Sequence, residues 1–232
     1  MNNITDGIFE AFRLLLTGDS EVLQITFRTL QVSCTSTAIS VLLGIPLGTL
    51  VALKSFFGRG LVVSMINFGM GLPPVVVGLA TWLCLTRYGP FGFLGLIYSP
   101  SAMVIAQAII AAPIVAAFTL AAIQSIPAKM HFQILALGAS QRQYLWLLLR
   151  EARLGILAAV IGGFGGVISE VGASMMVGGN VRGYTRVLTT ATVLEVSKGN
   201  FQLATALSVI LLVVAFAVSA GLSYLQQRGK RL

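Results

Sequence analysis

Charge is scarce in this chain. Asp, Glu, Lys and Arg make up 9% of its 232 residues while 56% are hydrophobic, too few charges to cover a soluble globule of this size. Mean hydropathy is +0.92, so the chain reads as an integral membrane protein. Acids are scarcer than bases, 7 against 15, for a formal net charge of +8. In a soluble protein that excess would point to nucleic acid, but membrane proteins gather Lys and Arg in cytoplasmic loops for topological reasons. No nucleic-acid partner is expected. The two cysteines, Cys34 and Cys84, fall in apolar segments and read as small buried hydrophobes rather than a disulfide framework. The one histidine, His131, stands beside Lys129 and reads as a solvated surface residue; without a His or Cys cluster, no metal site is expected. No G-x-x-x-x-G-K-[ST] phosphate loop occurs, so the chain is expected to use no ATP by itself. With no nucleophile–base pair and no cofactor motif, neither a catalytic residue nor a cofactor is expected, and what remains is a membrane pathway or a scaffold.

The start, MNNITDGIFEAFRLLL, lacks a basic run and carries Asp6 and Glu10, so a signal peptide is not expected. Its apolar residues Ile4, Ile8, Phe12 and Leu15 or Leu16 recur at helical spacing. About 13 residues cannot cross ~30 Å of hydrocarbon, which predicts a short helix at the membrane surface. Spans are expected between Arg28 and Lys54, over about 61–86, over about 101–124, from Leu154 onward, and over about 201–225. Pro46 between Gly44 and Gly48 predicts a kink in the first. In GMGLPPVVVG, Pro73 and Pro74 remove two backbone donors and predict a broken helix enclosed by the bundle. The fourth span carries Gly155, Ala159, Gly162, Gly166, Ser169 and Ala173 at three- or four-residue spacing, an almost side-chain-free face that another helix can approach, with Gly162 and Gly166 as its small-xxx-small pair. Glu170 lies ~24 Å into that span and is expected to face protein, because an ionisable group at that depth is costly and functional by default.

Between the third and fourth spans, about 127–153, comes a charged amphipathic segment. It reads as two short helices joined at Gly138-Ala139-Ser140, with Phe132, Leu135, Tyr144 and Trp146 as apolar anchors for a partner in water. Arg228, Lys230 and Arg231 favour a cytoplasmic C-terminus. Counting back then puts Lys54, Arg59 and the 127–153 segment inside, and the Tyr88 loop and the 178–200 connection outside. The expected fold is therefore an all-α integral membrane protein: one polytopic domain over 1–232 with five spans, or six if the N-terminal helix also crosses.

The stretch LALGAS followed by LLLREARLGILAAVIGGFGGVISEVGASMMVGGNVRG and TRVLTTA resembles the permease subunits of ABC importers of the tungstate, molybdate and sulfate type, with the tungstate permeases the nearest likeness. The resemblance implies a type I importer permease fold in a prokaryotic cytoplasmic (inner) membrane, a second copy of the chain, cytoplasmic ABC ATPase subunits and an extracytoplasmic oxyanion-binding protein. It implies coupling to the ATPase through Phe132, Leu135, Gly138, Ala139, Ser140 and Tyr144. A pathway or gate would include Pro73, Pro74, Gly162, Gly166, Glu170 and Gly172. Gly178, Gly179, Asn180, Arg182 and Arg186 would form the outer mouth or meet the binding protein. The family's coupling motif, E-A-A, three residues, Gly, nine residues, I-x-L-P, is matched at Gly138 and by Leu148, whereas Phe132, Gln133 and Ile134 replace E-A-A and Arg150 and Glu151 replace the final L-P. A secondary transporter or channel working without an ATPase, or a non-transporting scaffold, is the alternative reading.

Overall fold

The computed structural model describes residues 3–228; Lys230, Arg231 and the side chain of Arg228, on which the orientation partly rests, lie outside the described residues. The regular structure among them is helical: α1 (Asn3–Thr17), α2 (Ser20–Leu53), α3 (Arg59–Met70), α4 (Pro74–Leu85), a single 3-10 turn (Gly92–Leu94), α5 (Pro100–Gln124), α6 (Ala128–Ala136), α7 (Gln141–Glu151), α8 (Arg153–Ile168), α9 (Gly172–Gly178), α10 (Leu188–Ser197) and α11 (Phe201–Arg228). Three helices, α2, α5 and α11, are long and apolar enough to cross a membrane; five spans result if the bent pairs α3–α4 (101°) and α7–α8 (65°) each count as one.

α2 begins earlier than expected, at an Asp19 cap whose carboxylate accepts from the Val22 N–H at 2.9 Å. It continues through Pro46 as one 34-residue helix. Gly44 and Gly48, on either side of that proline, serve close approach: a Cβ on Gly44 would lie 2.8 Å from Val115 Cβ, and one on Gly48 2.4 Å from the Ala116 carbonyl oxygen. The tight small-xxx-small pair of the bundle is thus on α2, facing α5. The pair expected on α8 is looser, since a Cβ on Gly162 would sit 3.5 Å from the Phe118 ring and one on Gly166 3.2 Å from the mobile end of Ile114. On α8 it is Gly155, against Ala122 (2.4 Å), and Gly163, against Val115 (2.8 Å), that tolerate no Cβ. Lipid tails are as apolar as Leu, so helices associate here through backbone proximity and dispersion.

The same rule decides which side of α1 meets the bundle. Gly7 abuts Thr205 and Ala11 is buried with Leu207 and Ile210 of α11, while Phe9, Phe12 and Leu16 point outward. The α3–α4 break falls at Gly71–Pro73, where Pro73 takes the cap position and Pro74 the first turn of α4, and the Pro73 carbonyl accepts from Val76 N–H at 2.9 Å. Contrary to expectation this break is not enclosed in the chain: Pro73, Val75 and Val76 are exposed, and α3 buries only Ile66 and Gly69.

The fourth span is shorter than expected. α8 ends at Ile168, and the small-residue stripe does not run on to Ala173 along one helix, because Ser169 to Val171 turn the chain into the separate seven-residue α9.

The helices define two ends. At one, Ile123 and Ile126 pack with Leu148 and Ala152 over Leu53, Met130, Ile134 and Tyr144, and Gln226 of α11 donates to the Leu154 carbonyl at 2.8 Å. At the other lie the start of α2, the 179–187 connection and the start of α11.

Candidate functional site

At the first end, α6 and α7 form a hairpin. Gly138 takes φ 73°, a left-handed conformation that only glycine adopts freely. Ser140 then caps α7 in a capping box: its hydroxyl accepts from Gln143 N–H (3.4 Å) and the Gln143 side chain accepts from Ser140 N–H (2.8 Å). Outside the hairpin Phe132 (72% exposed), Leu135 (54%), Leu137 and Trp146 stand in solvent, Trp146 under the Arg150 guanidinium 5.3 Å from its ring centre. Ala139 is half-buried in the turn. Tyr144 departs from its expected role as an outward anchor: it is half-buried, and its hydroxyl meets Nδ1 of His131 at 2.7 Å. His131 is correspondingly not a solvated bystander.

Within the bundle the two helix breaks meet. A Cβ on Gly172 would lie 2.8 Å from a methyl of Val75, and one on Gly78 would lie 2.7 Å from Ala173 Cα, so α4 and α9 are in backbone contact just past their breaks. The residues that follow Pro73 and Pro74 are thus brought against the residues that follow Glu170, Gly172 among them, while Gly162 and Gly166 face α5 one to two turns away. Glu170 is 8% exposed; its Oε1 accepts from Ala173 N–H at 2.9 Å, and its backbone carbonyl accepts from the Thr189 hydroxyl at 3.1 Å. Ser174 turns elsewhere, accepting from Nε2 of Gln107 at 2.8 Å, while Oε1 of Gln107 accepts from the Ser36 hydroxyl at 3.2 Å. All three are buried, so one amide of α5 ties α2 to α9. The sequence reading passed over Gln107, although a glutamine inside the apolar 100–124 run carries the same cost signal that singled out Glu170.

At the other end, Gly178 is pressed against Met103 and its carbonyl accepts from the Thr185 hydroxyl at 2.6 Å. Gly179 takes φ 68° with the Tyr98 ring over it, and Asn180 follows at φ 49°. Arg182 and Arg186 are not free: both bind Glu21 of α2, Arg182 Nε to Oε1 at 2.9 Å with a second contact from its Nη2 to Oε2, and Arg186 Nη1 to Oε1 at 3.2 Å. The Glu21 hydrogen bond, and then its charge, hold the Arg182 guanidinium above its ordinary pKa. Lys198 pairs with Glu195 at 2.6 Å. These groups, with Glu10 and Asp19, line a cavity of about 470 Å³ whose charged side chains number four acids and three bases, a poor resting place for a free anion. The Glu21 pairing was illegible because its partners lie 161 and 165 residues away.

The sequence profile of the binding-protein-dependent transport system inner membrane component family matches residues 44–231. This chain belongs to that family. It is similar to a probable anion ABC transporter permease protein of Haloferax volcanii, 40% identical over 86% of this chain and 88% of the relative. A tungstate uptake system permease protein of Peptoclostridium acidaminophilum is 37% identical over 98% of this chain and the whole of the relative. Among solved structures, an inward-facing MetNI methionine ABC transporter chain matches with TM-score 0.76 over 90% of this chain and 96% of that one, at 19% identity, a likeness of fold. The fold is that of type I importer permeases, and the family places the chain in the inner membrane as a multi-pass transport component. Within this frame the exposed α6–α7 hairpin, the paired breaks and the Glu21-bound arginines are the candidate functional features.

Proposed function

We propose that this chain is the permease subunit of an ATP-driven ABC importer for a tetrahedral oxyanion, tungstate in the first place. The observation that carries this is the 37% identity to a tungstate uptake permease over 98% of the chain, with no insertion of domain size in either. Two copies would enclose the pathway, an extracytoplasmic binding protein would deliver the anion to the end bearing Arg182 and Arg186, and a cytoplasmic ATPase would dock on the α6–α7 hairpin. The exposed Phe132, Leu135 and Trp146 suit a groove in such a partner. The C-terminus is then cytoplasmic, as the side-chain bond from Gln226 to the Leu154 carbonyl, at the hairpin end, supports. Since the chain carries no phosphate loop, it would hydrolyse no ATP alone. Transport follows alternating access, with ATP-driven closure of the ATPase pair moving the hairpins and opening the spans outward.

The test is uptake into proteoliposomes holding the chain, its ATPase and its binding protein, with tungstate, molybdate and sulfate offered separately. Tungstate uptake that needs ATP and both partners is expected. Uptake driven by an ion gradient without the ATPase would overturn the importer reading, and molybdate or sulfate uptake with tungstate excluded would overturn the substrate.

A further inference from the structure

The α6–α7 hairpin must behave as a stiff body if motion at one of its helices is to reach the other. A short amphipathic pair joined by a four-residue turn is not stiff by itself: nine- and eleven-residue helices are marginal alone in water. The backbone turn is fixed by Gly138, with Gly138 N–H on the Leu135 carbonyl at 3.0 Å and Ala139 N–H on the Ile134 carbonyl at 3.4 Å. Those bonds hold the turn but leave the angle between the two helices free to change. The side chain of His131, in the first turn of α6 and remote from the turn, meets that of Tyr144, in the first turn of α7, at 2.7 Å with ring centres 5.9 Å apart, and so bridges the far end of α6 to the near end of α7. The residues one turn further along each helix, Leu135 and Leu148, separate in role: Leu135 is exposed, while Leu148 is wholly buried with Ile123, Ile126 and Ala152. Tyr144 therefore joins the bundle side of the hairpin through the Leu148 cluster and the outward side through His131.

We propose that His131 is a positioning residue for energy coupling, its bond to Tyr144 setting the angle at which α6 presents Phe132 and Leu135 to the ATPase. The role rests on the docking surface proposed above. In this chain Phe132, Gln133 and Ile134 stand where the family pattern has E-A-A, so no carboxylate is available there, and the His131–Tyr144 bond supplies a fixed point within the hairpin itself. Tyr144→Phe keeps the ring and its packing and deletes the bond; His131→Ala deletes it from the other side; His131→Gln offers an acceptor and a donor in its place.

The experiment measures anion transported per ATP hydrolysed by the complete complex in proteoliposomes. It is paired with spin-label distances between Gln133 and Arg142, two exposed positions on the two helices. The loss of one net hydrogen bond corresponds to about two- to tenfold in the balance between the set and splayed angles. Tyr144→Phe and His131→Ala should each broaden the distance distribution and lower transport per ATP by that factor, the double variant no further than either single, and His131→Gln should recover most of it. If Tyr144→Phe fails to assemble, the spin-label distance in His131→Ala decides. Unchanged distances and unchanged transport per ATP would overturn the positioning role. The docking reading fails separately, if the ATPase stays bound when Phe132 and Leu135 are both replaced by Asp.

Discussion

Removing the Glu170 side chain should loosen α9. The carboxylate Oε1 takes up the Ala173 N–H, one of the orphan donors at the start of a helix only seven residues long. In Glu170→Ala that donor stays buried and unpaired, which costs about 1–3 kcal/mol. The Thr189 hydroxyl still reaches the residue-170 carbonyl, since that bond is to backbone, so the helix should loosen rather than detach. A cost in this range corresponds to roughly five- to 150-fold in the occupancy of the ordered arrangement. Glu170→Gln keeps an oxygen in place and should fall within a factor of a few of wild type. Anion uptake by matched amounts of each variant complex is the assay, with thiol labelling of a cysteine at Ser169, exposed beside the break, as the structural readout. Uptake by Glu170→Ala at the wild-type rate would refute the reasoning. So would Gln as damaging as Ala, because the negative charge and not the hydrogen bond would then be the property that matters.

Gln107→Leu should remove both ties of the amide and leave Ser36 and Ser174 hydroxyls buried; Ser36 retains its bond to the Val32 carbonyl at 2.7 Å, so Ser174 bears the loss and the variant complex should melt lower, read by thermal unfolding in detergent, with Ser174→Ala alone milder. Gly48→Leu drives a side chain into the Ala116 carbonyl and should abolish assembly, measured as recovered monodisperse complex, whereas Gly162→Ala, with ordinary contact distances to its neighbours, should be tolerated. Glu21→Gln should free Arg182 and Arg186 and weaken the hold of α2 on the 179–187 connection, seen as faster proteolysis there; a protection pattern identical to wild type would mean that the ion cluster, like many exposed ion pairs, adds nothing measurable.

The parts of this fold that were legible in the sequence are those with a local cause. Pro73-Pro74 break a helix wherever they stand, Gly138 marks a turn because Ser140, two residues on, opens a capping box, and long apolar runs declare α2, α5 and α11. The second break, at Ser169 to Val171, carries no proline and no turn dipeptide; it is held by Glu170 and by Thr189 from another element, and so looked like a continuing stripe of small residues. The close contacts of α1 and α2, and the shift from Gly162 and Gly166 to Gly163 on α8, went unread for a related reason. In a soluble protein the larger apolar residue points inward, but here Gly7, Gly44, Gly48, Gly155 and Gly163 face protein while Phe9, Leu42 and Leu43 face outward, because lipid leaves no hydrophobic penalty to sort them. Glu21 with its two arginines, and His131 with Tyr144, depended on which ends of which helices meet.

The contacts divide into two kinds, and the division tells where motion is expected. α2 and α8 touch α5 through glycines, those of α2 against its backbone and those of α8 against Ala122 and Val115, contacts that cannot open without leaving a void. α9 and the 179–187 connection are held by side-chain hydrogen bonds and ion pairs, which can exchange for water as a pathway opens. The α4–α9 contact lies at the boundary, and a disulfide across it tests the division. In a variant with Cys34 and Cys84 replaced, Val75→Cys together with Gly172→Cys removes the valine methyl that a Cβ at 172 would strike at 2.8 Å, and the Gly172 Cβ position lies 3.9 Å from Val75 Cα, within reach of a disulfide. On the reading that the two breaks shift against each other in each cycle, oxidation should stop anion uptake and reduction should restore it. Uptake that continues at the reduced rate with the disulfide formed would mean that α4 and α9 move as one body, and would place the moving boundary at the Gln107 ties instead.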